Sequence, residues 1–180
     1  MHKISVRARV LMGVASGIAA VALGVAAAQP AVASTGSTRA FAFFAPQVGS
    51  PTGAIFITGA GAFNTSAGSL HAAGAFTCTT TVNNGPLAGC LAGQGVRWDS
   101  DQLLSSTSFK CTATDTVKTG TTSDDTVVLQ AHFRRAGDGE AVSFNAQMIV
   151  SEHDLAPTID GNQKVWVQGV GCGNAIDFVT

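Results

Sequence analysis

Four residues in the middle of this 180-residue chain could contribute to a ligand site: His71, Arg97, Trp98 and Asp99. His71 lies between small residues and would be a polar group inside a ligand cavity if its face pointed inward, with Arg97 or Asp99 beside it. Trp98 precedes a short acidic stretch, which suits the mouth of a cavity. The alternative is that His71 is an ordinary surface residue and that Trp98 packs in the core.

A second group of ionisable residues is the run Ser151-Glu152-His153-Asp154, followed by Asp160. A histidine flanked by carboxylates could be oriented for acid–base chemistry or for metal binding. Adjacent residues of an extended loop point in different directions, however, and nothing in the sequence makes these side chains converge. A solvated loop is therefore the better interpretation.

The sequence contains no Gly-x-Ser-x-Gly elbow, His-Glu-x-x-His pair, P-loop or dinucleotide fingerprint. No catalytic residue can be assigned, and we expect neither a cofactor nor a metal. Residues 34–180 carry 7 basic and 11 acidic side chains, a net charge near −4, and these charges are scattered along the chain. That distribution argues against a nucleic acid partner.

Residues 1–33 have the features of a cleaved signal peptide. Lys3, Arg7 and Arg9 precede an apolar run over residues 10–28, and Ala31-Val32-Ala33 has the small-x-small pattern of a cleavage site. An uncleaved membrane anchor is the alternative, but the run consists mostly of Ala, Gly and Val. We therefore expect a secreted domain over residues 34–180, with no membrane span after cleavage.

All four cysteines lie in residues 34–180: Cys78, Cys90, Cys111 and Cys172. An even number in an exported chain predicts two disulfides, with three possible connectivities. If residues 83–85 form a three-residue hairpin loop, Cys78 and Cys90 face each other across two strands. That register favours the pairs Cys78–Cys90 and Cys111–Cys172.

Period-two alternation predicts a series of strands between residues 39 and 179. The first is predicted at residues 39–44, and residues 45–52 are predicted to break it. Residues 55–78 form a hairpin in which Gly59, Gly61 and Gly74 require an explanation. Either a bulky side chain, with Phe63 and Phe76 as candidates, packs over bare backbone, or the sheet coils tightly there. Further strands are predicted at residues 87–98, 103–112, 164–170 and 175–179. Residues 115–125 are predicted to be a surface loop or the frayed end of a hairpin.

The clearest alternation is at residues 127–134, where Val127, Leu129, Ala131 and Phe133 share one face. A turn at residues 136–139 leads to a return strand, whose inward residues are predicted to be Val142, Phe144, Ala146, Met148 and Val150. This is a hairpin with one wet face. Trp166 shares a face with Lys164 and Gln168, so it is either a surface aromatic or a core residue.

About eight strands joined by short turns predict an all-β domain. The even meander favours a single antiparallel up-and-down β-barrel. A β-sandwich is the alternative, although it needs longer crossovers, for which residues 115–125 and 151–162 are the only candidates.

The segment ITGAGAFNTSAG at residues 57–68 resembles the Gly-Gly-x-Gly-x-Phe…Gly hairpin of the dirigent and allene oxide cyclase barrel superfamily. The resemblance covers about a dozen residues. It implies an eight-stranded antiparallel barrel that binds small hydrophobic ligands and that, in some members, steers cyclisation or radical coupling without a cofactor. It carries over no catalytic residue.

These observations favour a secreted, non-catalytic β-barrel that binds a small apolar ligand or a cell-surface partner. A cofactor-free cyclase or isomerase, with His71 or a carboxylate at the barrel mouth as acid–base group, is the second hypothesis. A structural envelope protein that self-assembles through Ala/Gly-rich strand edges is the third.

Overall fold

The computed structural model describes residues 36–49, 53–139 and 141–179. The predicted signal peptide lies outside these ranges. The described part is all-β, with ten strands: Arg39–Val48 (β1), Ile55–Asn64 (β2), Ser69–Cys78 (β3), Arg97–Leu103 (β4), Ser106–Phe109 (β5), Lys118–Thr121 (β6), Thr126–Arg134 (β7), Phe144–Ser151 (β8), Gln163–Val167 (β9) and Gly171–Val179 (β10).

Eight strands form a closed antiparallel barrel in the order β1-β10-β9-β8-β7-β4-β3-β2. Strands β5 and β6 form a separate two-stranded sheet that lies between β4 and β7 in the chain. Apart from this insertion, every barrel strand pairs with its neighbours in sequence, and β1 pairs with β10 to close the barrel. The predicted up-and-down barrel is confirmed, and the sandwich alternative is wrong.

The barrel interior is filled by side chains. The largest of them are fully buried: Trp98, Phe41, Phe63, Phe76, Phe133, Ile55, Ile57, Leu129 and Met148. Phe76 and Phe133 make an edge-to-face pair with ring centroids 4.9 Å apart. An eight-stranded barrel has an interior just wide enough for such filling, so this barrel has a packed core.

Gly59 of β2 and Gly74 of β3 make room for Trp98, whereas a Cβ on Gly61 would meet the neighbouring strand at Ala72. A Cβ built on Gly74 would lie 2.6 Å from Trp98 Nε1, and one on Gly59 would lie 3.0 Å from Trp98 Cε2. The indole N–H donates a hydrogen bond to the Thr58 carbonyl oxygen at 3.0 Å. A bulky residue over bare backbone is thus the correct explanation, but Phe63 and Phe76 were the wrong candidates.

The segment between β3 and β4 differs from the prediction. Residues 79–96 form a loop instead of a return strand, and the predicted hairpin turn at residues 83–85 is wrong. Gly93 and Gly95 have φ angles of +82° and +132°, which a strand does not accommodate. The loop folds back on the end of β3, where the Cys78 N–H donates to the Gln94 carbonyl at 2.7 Å.

The strand predicted at residues 103–112 is present but shorter, because Leu103 ends β4 and only Ser106–Phe109 forms β5. Of the two predictions for residues 115–125, the hairpin end is correct, since β6 pairs with β5. This hairpin covers a second apolar cluster on the outer wall of the barrel. Its members are Phe109, Cys111, Val128, Ile149, Ala156, Trp166 and Cys172.

Both predicted disulfides are present, Cys78–Cys90 and Cys111–Cys172. The reasoning behind the first was wrong, since Cys90 lies in the loop and not on a facing strand. The second joins β10 to the segment after β5 and thereby attaches the β5–β6 hairpin to the barrel. Two disulfides are consistent with an extracellular or otherwise oxidising environment.

The β7–β8 hairpin is confirmed, with Leu129, Ala131, Phe133, Ala146 and Met148 facing the interior. Two details differ. Val142 precedes β8 and is exposed, and Val128 on the outer face is buried beneath the β5–β6 hairpin. The outer wall is therefore wet over only part of its length. Within the described residues, no helix is long and apolar enough to cross a membrane.

Candidate functional site

The four candidate ligand residues are not gathered around an internal cavity. His71 points outward from β3, with 90% of its side chain exposed, and contacts Asp101 of β4. Arg97 and Asp99 also lie on the outer wall, because they alternate with Trp98 along β4. Trp98 points inward and is fully buried. The tryptophan thus occupies the interior, and the three polar residues face the other side of the sheet.

Asp99 belongs to an ion-pair group on this outer wall. Arg134 Nε donates to Asp99 Oδ1 at 2.8 Å, and His132 Nδ1 lies 3.8 Å from Asp99 Oδ2. The hydrogen bond from Arg134 holds the pKa of Asp99 below its ordinary value and outweighs the opposing effect of partial burial. The arrangement stabilises a carboxylate on a sheet surface.

The loop after β8 behaves as a solvated loop. His153 Nε2 lies 2.6 Å from Asp125 Oδ2, and the His153 side chain is exposed. Asp154 Oδ1 accepts hydrogen bonds from the backbone N–H groups of Ala156 at 2.8 Å and Gln163 at 3.3 Å. Asp125 contacts the His153 ring, whereas Asp154 holds the backbone of the loop. The two carboxylates therefore do not converge on a shared site.

One carboxyl group points into the barrel near its end. The Asp177 side chain is fully buried, and its Oδ1 pairs with Lys164 Nζ at 2.6 Å. Its Oδ2 has no hydrogen-bond partner among the described atoms. Burial raises the pKa of Asp177 above its ordinary value despite the neighbouring lysine.

A cleft of about 650 Å³ lies outside the barrel, between the β5–β6 hairpin and the β9–β10 turn. We refer to it as the hairpin cleft. It is lined by Asn84, Ser108, Phe109, Lys110, Cys111, Thr112, Ala113, Val117, Trp166, Gly169, Val170 and Gly171. Its volume is within the usual range for small-molecule sites, roughly 300–1,000 Å³.

The floor of the hairpin cleft is aromatic. The rings of Phe109 and Trp166 have centroids 5.9 Å apart at an interplanar angle of 57°. Trp166 Nε1 donates to the Lys110 carbonyl at 2.9 Å, which satisfies the indole and fixes its position. The Cys111–Cys172 disulfide forms part of the wall. These bonds hold the floor rigid before any ligand arrives.

Three elements distant in sequence build this cleft. Trp166 lies on the outer face of β9, opposite Cys172 of β10. The disulfide brings the end of β5 beside them, and the backbones of Gly85 and Gly169 pack together where the loop after β3 reaches the β9–β10 turn.

Sequence reasoning did not find the hairpin cleft. The available signals were Trp166 on an otherwise polar face and the pairing of Cys111 with Cys172, which places residues 109–112 near residues 166–172. Neither signal indicated that a hairpin would cover the outer wall.

Comparisons with protein families, curated proteins and solved structures found no match to this chain. Among the described residues, no group of three or more His, Cys, Asp or Glu side chains is arranged to hold a metal ion. The site must therefore be interpreted from its own chemistry.

Proposed function

We propose that the protein is a secreted, non-catalytic binding protein that holds a small apolar ligand in the hairpin cleft. The observation that carries this proposal is the aromatic floor formed by Phe109 and Trp166 in a cleft of about 650 Å³. Apolar and aromatic lining with few polar groups is typical of small-molecule sites. Because side chains fill the interior of the barrel, the proposed ligand site is outside it.

The cleft favours a small ligand over a cell-surface macromolecule. It is a concave cleft of about 650 Å³ with Phe109, Trp166 and the exposed Val117 in its lining, which suits a compact apolar body. The Cys111–Cys172 disulfide restrains the wall of the cleft at Cys111, so less conformational entropy is lost when a small molecule binds.

The test is a fluorescence titration with pyrenebutanol, a neutral apolar probe, using protein purified from the culture medium. Val117→Asp introduces a charge into the lining of the cleft at a valine that is 63% exposed, so the substitution removes little buried apolar surface. We expect this variant to bind the probe at least about tenfold more weakly, a difference of roughly 1.4 kcal/mol. Native mass spectrometry of the same preparation would reveal a ligand that co-purifies.

The matched control is Val142→Asp, an exposed valine outside the hairpin cleft. It should bind pyrenebutanol as the unmodified protein does. The proposal is wrong if the unmodified protein does not bind the probe, or if both valine variants reduce binding equally.

A structural, self-associating role is the second candidate, and a different observation favours it. A set of outward residues on β1–β3, with Ile176 of β10, forms a surface without charged side chains, which we call the uncharged face; His71, opposite Ala62 on β3, lies at its border and is not part of it. It consists of Ala40, Ala42, Phe44, Phe56, Thr58, Ala60, Ala62, Ala73, Ala75 and Ile176. Barrel closure pairs both edges of these strands, so association would use the face and not the strand edges.

A further inference from the structure

We infer that the ligand of the hairpin cleft is an amphipathic organic acid, with an apolar body on the aromatic floor and its anionic group at Lys110. This inference rests on the proposed function, because it concerns the same cleft. It adds a chemical class to the ligand and assigns the anion to one side chain.

Among the described residues that line the cleft, Lys110 alone is charged. Its side chain is exposed, and no carboxylate in the described part of the chain is within ion-pair distance of its ammonium group. Asp115, a few residues away, accepts a hydrogen bond from the Cys111 N–H at 3.2 Å instead. The charge of Lys110 is therefore available to a ligand.

The other two lysines of residues 34–180 already have protein partners. Lys118 Nζ donates to the Leu155 carbonyl at 3.0 Å and lies 5.9 Å from the centre of the Phe109 ring. Lys164 Nζ pairs with the buried Asp177. Lys110 differs from both in lining the hairpin cleft with an exposed side chain.

The backbone of Lys110 is held while its side chain is not. Its carbonyl accepts the Trp166 indole hydrogen bond, and the next residue, Cys111, is bonded to Cys172. The Lys110 backbone therefore has a fixed position beside Trp166, and its exposed side chain extends from that position. A ligand that fits must place an apolar body and one anionic group a short distance apart, as an aryl or alkyl carboxylic acid does.

The size of the effect follows from the exposure of the lysine. An ion pair at a solvent-exposed position contributes about 0.2–1 kcal/mol, which corresponds to at most about fivefold in affinity. The apolar floor supplies most of the binding, and Lys110 supplies a preference for the acid.

The experiment compares two probes that share one apolar body, pyrenebutyrate and pyrenebutanol, in the unmodified protein and in Lys110→Gln. We expect the affinity for pyrenebutyrate relative to pyrenebutanol to fall about three- to fivefold in K110Q, and to be retained in Lys110→Arg. In the unmodified protein, this ratio should also fall when salt is raised to about 1 M, where the Debye length is about 3 Å.

The outcomes separate the two proposals. If both probes bind and K110Q leaves their relative affinity unchanged, the cleft binds apolar molecules and the inference about acids is wrong. If neither probe binds the unmodified protein, the proposed function fails and the inference fails with it. Loss of pyrenebutyrate preference in K110R as well as in K110Q would also overturn the inference, because the charge would then not be responsible.

Discussion

At the scale of single residues, Trp98 organises one side of the barrel interior. In register, Phe43, Gly59, Gly74 and Trp98 lie side by side on four neighbouring strands. The two glycines leave a gap across which the indole reaches Phe43, with ring centroids 6.0 Å apart. Each glycine therefore contributes to packing because its lack of a Cβ leaves space for the indole.

This packing predicts that Gly74→Val destabilises the protein by about 2–4 kcal/mol. The new Cβ would lie 2.7 Å from Gly59 Cα as well as against the indole, so that the backbone and Trp98 must both shift. Overpacking costs about 1–3 kcal/mol, and the indole hydrogen bond is worth about 1 kcal/mol more. Urea unfolding measures the change. Ala75→Val, one residue along on the exposed outer wall, should cost less than about 0.5 kcal/mol, and equal losses would contradict the packing argument.

A second residue-scale prediction concerns the buried Asp177. The pKa of Asp177 is raised in the folded protein, so the protonated side chain favours the folded state. This contribution to stability is fully present below the unfolded pKa of about 3.9 and is lost as pH rises through the folded pKa. We expect Asp177→Asn to become progressively more stable relative to the unmodified protein as pH rises over that window. Urea unfolding at a series of pH values measures the trend.

Asp99 provides the control of opposite sign. Arg134 lowers its pKa, so its contribution to stability is present above the unfolded pKa and is lost as pH falls through the folded pKa. Asp99→Asn should therefore become less stable relative to the unmodified protein as pH rises. Trends of the same sign in the two variants would show that burial does not dominate at Asp177.

At the scale of elements, two segments that are not barrel strands are each attached by a disulfide. The loop over residues 79–96 is held by Cys78–Cys90, with a sequence separation of 12. The β5–β6 hairpin is held through Cys111–Cys172, with a separation of 61. Both segments contribute residues to the hairpin cleft, so the disulfides support the site as well as the fold.

Removing the two disulfides should therefore have unequal effects. Loop-closure entropy predicts losses of about 3 kcal/mol for the Cys78→Ala, Cys90→Ala variant and about 4 kcal/mol for the Cys111→Ala, Cys172→Ala variant. The second variant should also weaken pyrenebutanol binding, since it frees one wall of the cleft. Urea unfolding and probe titration measure the two quantities. A larger loss from the short-range pair would contradict the entropic account.

At the scale of the whole molecule, pairing of β1 with β10 closes the barrel, so each of its eight strands has a paired strand on both sides. Contact between two barrels would therefore use their outer faces. The uncharged face spans four adjacent strands, in which Ala42, Ala60 and Ala73 lie in one register row. Strand spacing and rise give it an area of about 400 Å². That is below the roughly 800 Å² per partner of a stable interface.

An area of this size predicts weak self-association, in which two copies of the chain pack together through their uncharged faces. Sedimentation velocity should show a weight-average coefficient that rises with concentration in the micromolar range or above. Ala60→Lys, in the exposed centre of the face, should abolish the rise because it places like charges opposite each other. Ala88→Lys, on the loop after β3, is the matched control, and a monomer at all concentrations in the unmodified protein would rule the association out.

Local pattern in the sequence was sufficient for the all-β class, the barrel and the β2–β3 and β7–β8 hairpins. The cysteine pairing was predicted correctly, but from a hairpin register that the structure does not have. Alternation such as that of Val127 to Phe133 is local, and so are turn signals, so a single strand carries its own evidence. The loop after β3 was predicted to contain a strand because apolar residues such as Leu87 and Val96 are typical of one. The positive φ angles of Gly93 and Gly95 prevent a strand there.

Only the tertiary structure decided which faces are covered. Trp98 is a core residue because two glycines on other strands make room for it, and Trp166 and Val128 are buried because a hairpin inserted between β4 and β7 lies over them. Such burial depends on contacts between residues far apart in the chain, which alternation within one strand does not encode. The hairpin cleft arises from the same contacts, so the sequence predicted the barrel while the site came from what packs against its outer wall.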